Sequence, residues 1–123
     1  MAARFSRLIL AALIGDGQLD KWQLSLYTFS WMIRNFKHRG LRRFYEDDDR
    51  RGLNPEHIEK IATIVAQLDR VTKPDDMGVP GFRLHPLKGG LAGFWSVTVR
   101  ANWRIIFRFE GHNVADVDLI DYH

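Results

Sequence analysis

The stretch Trp95 to Phe109 reads WSVTVRANWRIIFRF, and its periodicity decides the fold. Trp95, Val97 and Val99 alternate with Ser96, Thr98 and Arg100, while Trp103, Ile105, Phe107 and Phe109 alternate with Arg104, Ile106 and Arg108. Residues two apart share a face of a strand, so the pattern predicts two strands, each with one apolar face. Pairing the apolar sets in a hairpin matches Val97 with Phe107 and Val99 with Ile105. That register puts Arg100 opposite Arg104 across a loop of Ala101, Asn102 and Trp103, and Ser96 opposite Arg108. The polar face then carries three guanidiniums, and the opposite face, with Trp95 and Trp103, is expected to pack on helices.

Working outward, the segment from Gly81 to Phe109 holds five Lys or Arg residues and His85 but no Asp or Glu. The whole chain, with 18 basic and 15 acidic residues, carries only +3. Its acids are gathered elsewhere, in Glu46 to Asp49, in Asp75-Asp76 and from Asp116 to Asp121. One basic surface suited to a polyanion follows, rather than a diffusely basic protein. Like charges directly across a strand pair cost a fraction of a kcal/mol. Arg100 and Arg104 therefore either converge on phosphate, which planar bidentate arginine suits, or solvate an exposed face and pair with acids from helix ends. Just upstream, His85-Pro86-Leu87-Lys88-Gly89-Gly90 can set an imidazole and an ammonium at the rim of that face. It is no P-loop, because the glycines follow the lysine and no Ser or Thr comes next. A lone histidine before proline also has a purely structural reading.

The chain ends in Asp121-Tyr122-His123, a carboxylate, a phenol and an imidazole in succession. RNA cleavage through its own 2′-hydroxyl needs a proton acceptor, a proton donor and cations to stabilise the phosphorane. The tripeptide could supply the first two, and a frayed terminus is the alternative. The terminal carboxylate would favour the imidazolium of His123, making it a better acid than base.

Upstream, Leu41, Phe44 and Tyr45 lie at helical spacing, and the acid run Glu46 to Asp49 ends that short helix without the glycine and distal glutamate of a calcium loop. Asn54-Pro55 starts a second helix, whose stripe of Ile58, Ile61, Ala62, Val65 and Leu68 runs to about Arg70. Lys73-Pro74 stops it, and a loop follows. Met32 to Phe36 reads as the first strand and Val114 to Ile120 as the last. The fold class is α+β, a small antiparallel-rich β-sheet with two N-terminal helices packed on one face and a cationic face opposite.

At 123 residues the chain has enough apolar material for one core. It lacks cysteine, which removes disulfides and thiolate sites and fits a cytoplasmic protein. No two of His38, His57, His85, His112 and His123 have local metal-ligand spacing, so neither a metal nor another cofactor is expected. Arg4 and Arg7 precede an apolar run, Leu8 to Ile14, too short for a membrane span and followed by no cleavage pattern. Residues 1–31 read as an extension that the domain over 32–123 does not need.

With MIRNFKHRGL, HPLKG, WSVTVRANWRI and a terminal DYH in order, residues 32–123 resemble a HigB-type toxin of the RelE/ParE superfamily. The resemblance implies a RelE-like fold and a ribosome-dependent endonuclease that cuts mRNA in the A site, beside 16S rRNA of the small subunit, without a metal. It implies catalytic roles for His85, Lys88, Arg104, Asp121, Tyr122 and His123, and RNA contacts for Arg83, Arg100, Asn102 and Arg108. The implied partner is a helix-turn-helix antitoxin of the HigA type, with operator DNA reached only through it and no membrane involved. A relative of the ParE branch would instead bind DNA gyrase and need no acid–base set.

Overall fold

A computed structural model of the protein describes residues 33–122. The expected extension over residues 1–31 and the His123 imidazole lie outside the described residues. Helix α1 spans Arg39–Asp47 and helix α2 Ile58–Leu68. Strands β1, His85–Pro86, β2, Trp95–Arg100, β3, Trp103–Glu110, and β4, Asn113–Asp121, form an antiparallel sheet in the order β1-β2-β3-β4. The α+β expectation holds.

Local chemistry sets the helix ends. His38 caps α1, its Nδ1 accepting from the Leu41 amide at 3.1 Å, and Asp48 in the left-handed region (φ 56°) closes it. Asn54 accepts from the Glu56 amide at 2.9 Å, starting a 3₁₀ turn over Pro55–His57 that leads into α2. The helix expected to be continuous from Pro55 is therefore tighter in its first turn. Leu41 and Phe44 of α1 and Ile61, Ile64, Val65 and Leu68 of α2 are buried with Val97, Ile105, Phe107 and Val117 of the sheet. Burying the stripe of each helix on one apolar sheet face leaves the other face for chemistry.

Two strand readings need correction. The expected first strand at Met32 to Phe36 is, among the described residues, a single parallel bridge from Phe36 to Val117. Bonds from Arg34 N to Val114 O (2.8 Å) and Lys37 N to Val117 O (2.7 Å) hold the segment beside β4. A ladder cannot continue there because β4 is bulged at Asp116, where φ is 53°. The Asn35 side chain takes up the slack, donating to Asp116 Oδ1 at 2.7 Å and accepting from the Asp116 amide at 3.0 Å.

The second correction concerns the hairpin. Val97 pairs with Ile105 and Thr98 with Arg104, and a register shift then sets Arg100 opposite Trp103. Apolar still meets apolar, but the offset is two residues from the expected one, the loop shortens to Ala101-Asn102, and Arg100 no longer faces Arg104. Ala101 takes φ 51° to make this turn. Trp103, expected in the core, is 36% exposed and lies against the His57 ring, with centroids 6.0 Å apart.

One polar pair sits inside the core. The Tyr45 hydroxyl donates to Asp69 Oδ1 at 2.5 Å, and Asp69 is only 2% exposed. Burial pushes the Asp69 carboxyl up to about 7, against the pull of the Tyr45 hydrogen bond. Because the folded state holds this proton more tightly than the unfolded chain, its contribution to stability is present below about pH 4 and is lost as pH rises towards 7. Asp69→Asn keeps an oxygen for Tyr45 and never ionises. It should gain on the wild type by on the order of 3 kcal/mol between pH 4 and pH 8, read from denaturant midpoints. A constant difference across that range would show that Asp69 does not titrate on unfolding.

Candidate active site

The polar face of the sheet becomes a site where β1 and its flanking turns fold over β2. Pro86 is tolerated because β1 is an edge strand and needs no amide on its outer side. Beyond it, Leu87 N bonds to Phe94 O at 2.9 Å and Phe94 N to Leu91 O at 3.0 Å, closing a small loop. Gly89 and Gly93, with φ of 65° and 95°, allow that reversal. The loop fixes Lys88 at the end of β1. On the incoming side, Thr98 N bonds to Phe82 O at 2.7 Å, and Arg83 follows with φ 55°, an uncommon conformation for a long side chain.

These elements enclose a cleft of about 430 Å³. Arg83, His85 and Lys88 line it from the β1 side, Arg104 and the 41% exposed Tyr122 from β3 and the tail, and Ser96 and Thr98 from β2 between them. Arg104 is held in place from behind, donating through Nη1 to the Ala101 carbonyl at 2.6 Å. The Tyr122 amide bonds to the Asn102 carbonyl at 2.8 Å, so the hairpin turn that orients Arg104 also brings the tail to the cleft.

His85 Nδ1 lies 3.2 Å from the Arg83 carbonyl oxygen. A carbonyl can only accept, so Nδ1 carries the proton and, in the neutral ring, Nε2 is left as an acceptor. The left-handed turn at Arg83 thus has a chemical consequence for the next-but-one side chain. Among the described residues, no ion pair engages Arg83, Lys88 or Arg104. The cleft presents three cations, an imidazole and a phenol to an incoming ligand, an arrangement complementary to a phosphodiester undergoing proton transfer.

The other expected contact residues are placed differently. The register shift turns Arg100 towards the 3₁₀ turn that precedes α2, where Nη1 meets Glu56 Oε1 at 2.6 Å beside a second cleft lined by His57 and Lys60. Arg108 is held by Asp116 Oδ2 at 2.6 Å and Glu110 Oε2 at 2.5 Å. Hydrogen bonds from Asn35 and then Arg108 hold the Asp116 carboxyl below its ordinary value, and those to Asp116 and Glu110 hold the Arg108 guanidinium above its own. Asn102 lies in the hairpin turn and Asp121 opposite Trp103 in the ladder, and neither lines the cleft. Ser96 and Thr98 were given no role from the sequence, although their alternation with Val97 and Val99 already set them on the face opposite the core.

Against known proteins, residues 34–123 match the family described as the RelE-like toxin of type II toxin-antitoxin system HigB. The chain is 37% identical over 92 residues to the endoribonuclease HigB of Proteus vulgaris, an alignment covering 75% of this chain and 100% of that protein. It is 36% identical over 80 residues to the toxin HigB-1 of Vibrio cholerae, covering 63% of this chain and 84% of its relative. The matched segment contains the whole cleft and the hairpin that builds it, and the chain belongs to the HigB-like toxin family of type II toxin-antitoxin systems.

Proposed function

We propose that this toxin is an endoribonuclease that cuts mRNA in the ribosomal A site by metal-independent acid–base chemistry. The observation that carries the reading is the convergence, in one cleft, of an imidazole whose Nε2 is left as an acceptor and three cations without carboxylate partners among the described residues. The 2′-hydroxyl of the substrate attacks the adjacent phosphorus while His85 Nε2 takes its proton. Arg104 and Lys88 bear the added charge on the phosphorane oxygens. The bond from phosphorus to the 5′-oxygen then breaks, and that oxygen takes a proton from the tail, where Tyr122 lines the cleft and His123 follows it. The products are a 2′,3′-cyclic phosphate and a 5′-hydroxyl. Asp121 supports this tail, and Arg83, Arg100, Asn102 and Arg108 are the candidates for holding RNA, with Arg83 alone of the four in the cleft.

Membership of a type II system implies a cognate antitoxin. The finer reading is a helix-turn-helix antitoxin of the HigA type that alone carries the complex to operator DNA. Among the described residues no helix is long and apolar enough to cross a membrane, and a ribosomal substrate places the toxin in the cytoplasm.

Primer extension on an mRNA, naked or held on stalled ribosomes, tests the reading. Cuts within the A-site codon should appear only when ribosomes are present. Equal cutting of naked mRNA would remove the ribosome from the mechanism. Intact mRNA together with blocked DNA supercoiling would return the protein to the gyrase-binding alternative.

A further inference from the structure

The cleft has a feature that the acid–base set leaves unused. Ser96 is only 4% exposed, yet it lines the cavity, and Thr98 lines it two residues further along the same strand. Among the described residues, neither hydroxyl has a hydrogen-bond partner within the protein. A strand position this well buried ordinarily favours a β-branched apolar side chain, as at Val97 and Val99 on the other face. Serine there gives up packing and leaves a polar group without a partner unless something in the cleft supplies one.

The sheet register says where that something lies. Ser96 is paired with His85 on one side and Ile106 on the other, and Thr98 with Arg104. Directly paired residues project to the same face, with Cβ atoms about 4.5–5.5 Å apart. The Ser96 hydroxyl therefore sits beside the imidazole and the Thr98 hydroxyl beside the guanidinium. A nucleotide whose 2′-oxygen faces His85 and whose phosphate faces Arg104 would lie across both. A hydroxyl can donate to a phosphate oxygen and accept from a ribose hydroxyl, which makes this pair suited to both parts of the RNA backbone.

We propose that Ser96 and Thr98 are substrate-contact residues, whose hydroxyls bind the ribose–phosphate oxygens at the scissile step and hold them between His85 and Arg104. This rests on the endoribonuclease reading of the cleft. Contacts to sugar and phosphate fix position without reading base identity, so losing them slows cleavage without moving the cuts.

The test uses the full chain in a cell-free translation extract, with initial rates and cut positions read by primer extension on a reporter mRNA. Ser96→Ala and Thr98→Val should each slow cleavage about tenfold, the loss expected for one hydrogen bond to a charged or reacting group. Thr98→Ser, which keeps the hydroxyl, should stay within about threefold of wild type. Cut positions, thermal midpoints and antitoxin binding should be unchanged in all three. Ser96→Ala cutting at the wild-type rate overturns the assignment for Ser96, and equal rates for Thr98→Val and Thr98→Ser overturn it for Thr98. A slow variant that also melts early or loses the antitoxin shows a structural role, and a shifted cut pattern shows base reading; both contradict the proposal. If the wild-type chain cuts no mRNA, the endoribonuclease reading fails before the hydroxyls are in question.

Discussion

Arg104→Ala will lower single-turnover mRNA cleavage by about 10²–10³-fold, the usual loss when one preorganised charge is removed from a developing oxyanion. The side chain is half-buried in the middle of the sheet, and its Nη1 bond to the Ala101 carbonyl fixes the guanidinium before substrate arrives. Little side-chain freedom remains to be lost when phosphate binds. The charge is also uncompensated, because among the described residues no carboxylate pairs with it, whereas Arg100 and Arg108 have already met Glu56 and Asp116. Arg104→Lys should recover little, since an ammonium can satisfy neither the turn carbonyl nor a bidentate phosphate contact in the same geometry. Stability should be unaffected or slightly improved, as Arg83 and Lys88 line the same cleft. Cleavage by Arg104→Ala within threefold of wild type, with an intact fold, would take Arg104 out of the reaction.

The contrast among the arginines also marks what the sequence could disclose. Alternation fixed which residues share a face, and every apolar match in the observed hairpin keeps that parity. Parity cannot fix offset, because a slip of two residues preserves it. The turn decides, and Ala101-Asn102 carries no glycine to announce the positive φ adopted by Ala101. From that turn and its adjacent register shift follows the departure of Arg100 to Glu56, 44 residues away in the chain. Arg108 was lost to the reading in a similar way, since its partner Asp116 is set by a bulge in β4. The placement of His85 and Lys88 at the rim of the cleft was legible, because both fall in one short turn-rich segment. The contact of the Arg83 carbonyl with His85 was not legible, because it depends on a backbone angle and on where a carbonyl points.

That carbonyl gives His85 the second large effect. His85→Ala should reduce cleavage by about 10²–10⁴-fold, the range for loss of a general base. Arg83→Gly separates the contribution of the carbonyl from that of the guanidinium. Glycine adopts φ 55° without strain, so the carbonyl that accepts from His85 Nδ1 can stay in place while the cation is removed. Its cleavage should fall about tenfold, as for one exposed phosphate contact. Arg83→Val, a β-branched residue that resists this backbone conformation, should fall further, because the imidazole would lose the partner that fixes its tautomer. Identical rates for the glycine and valine variants would show that the Arg83 carbonyl does not orient the base. Cleavage by His85→Ala within threefold of wild type, with an intact fold, would move the base from the β1 rim to the tail.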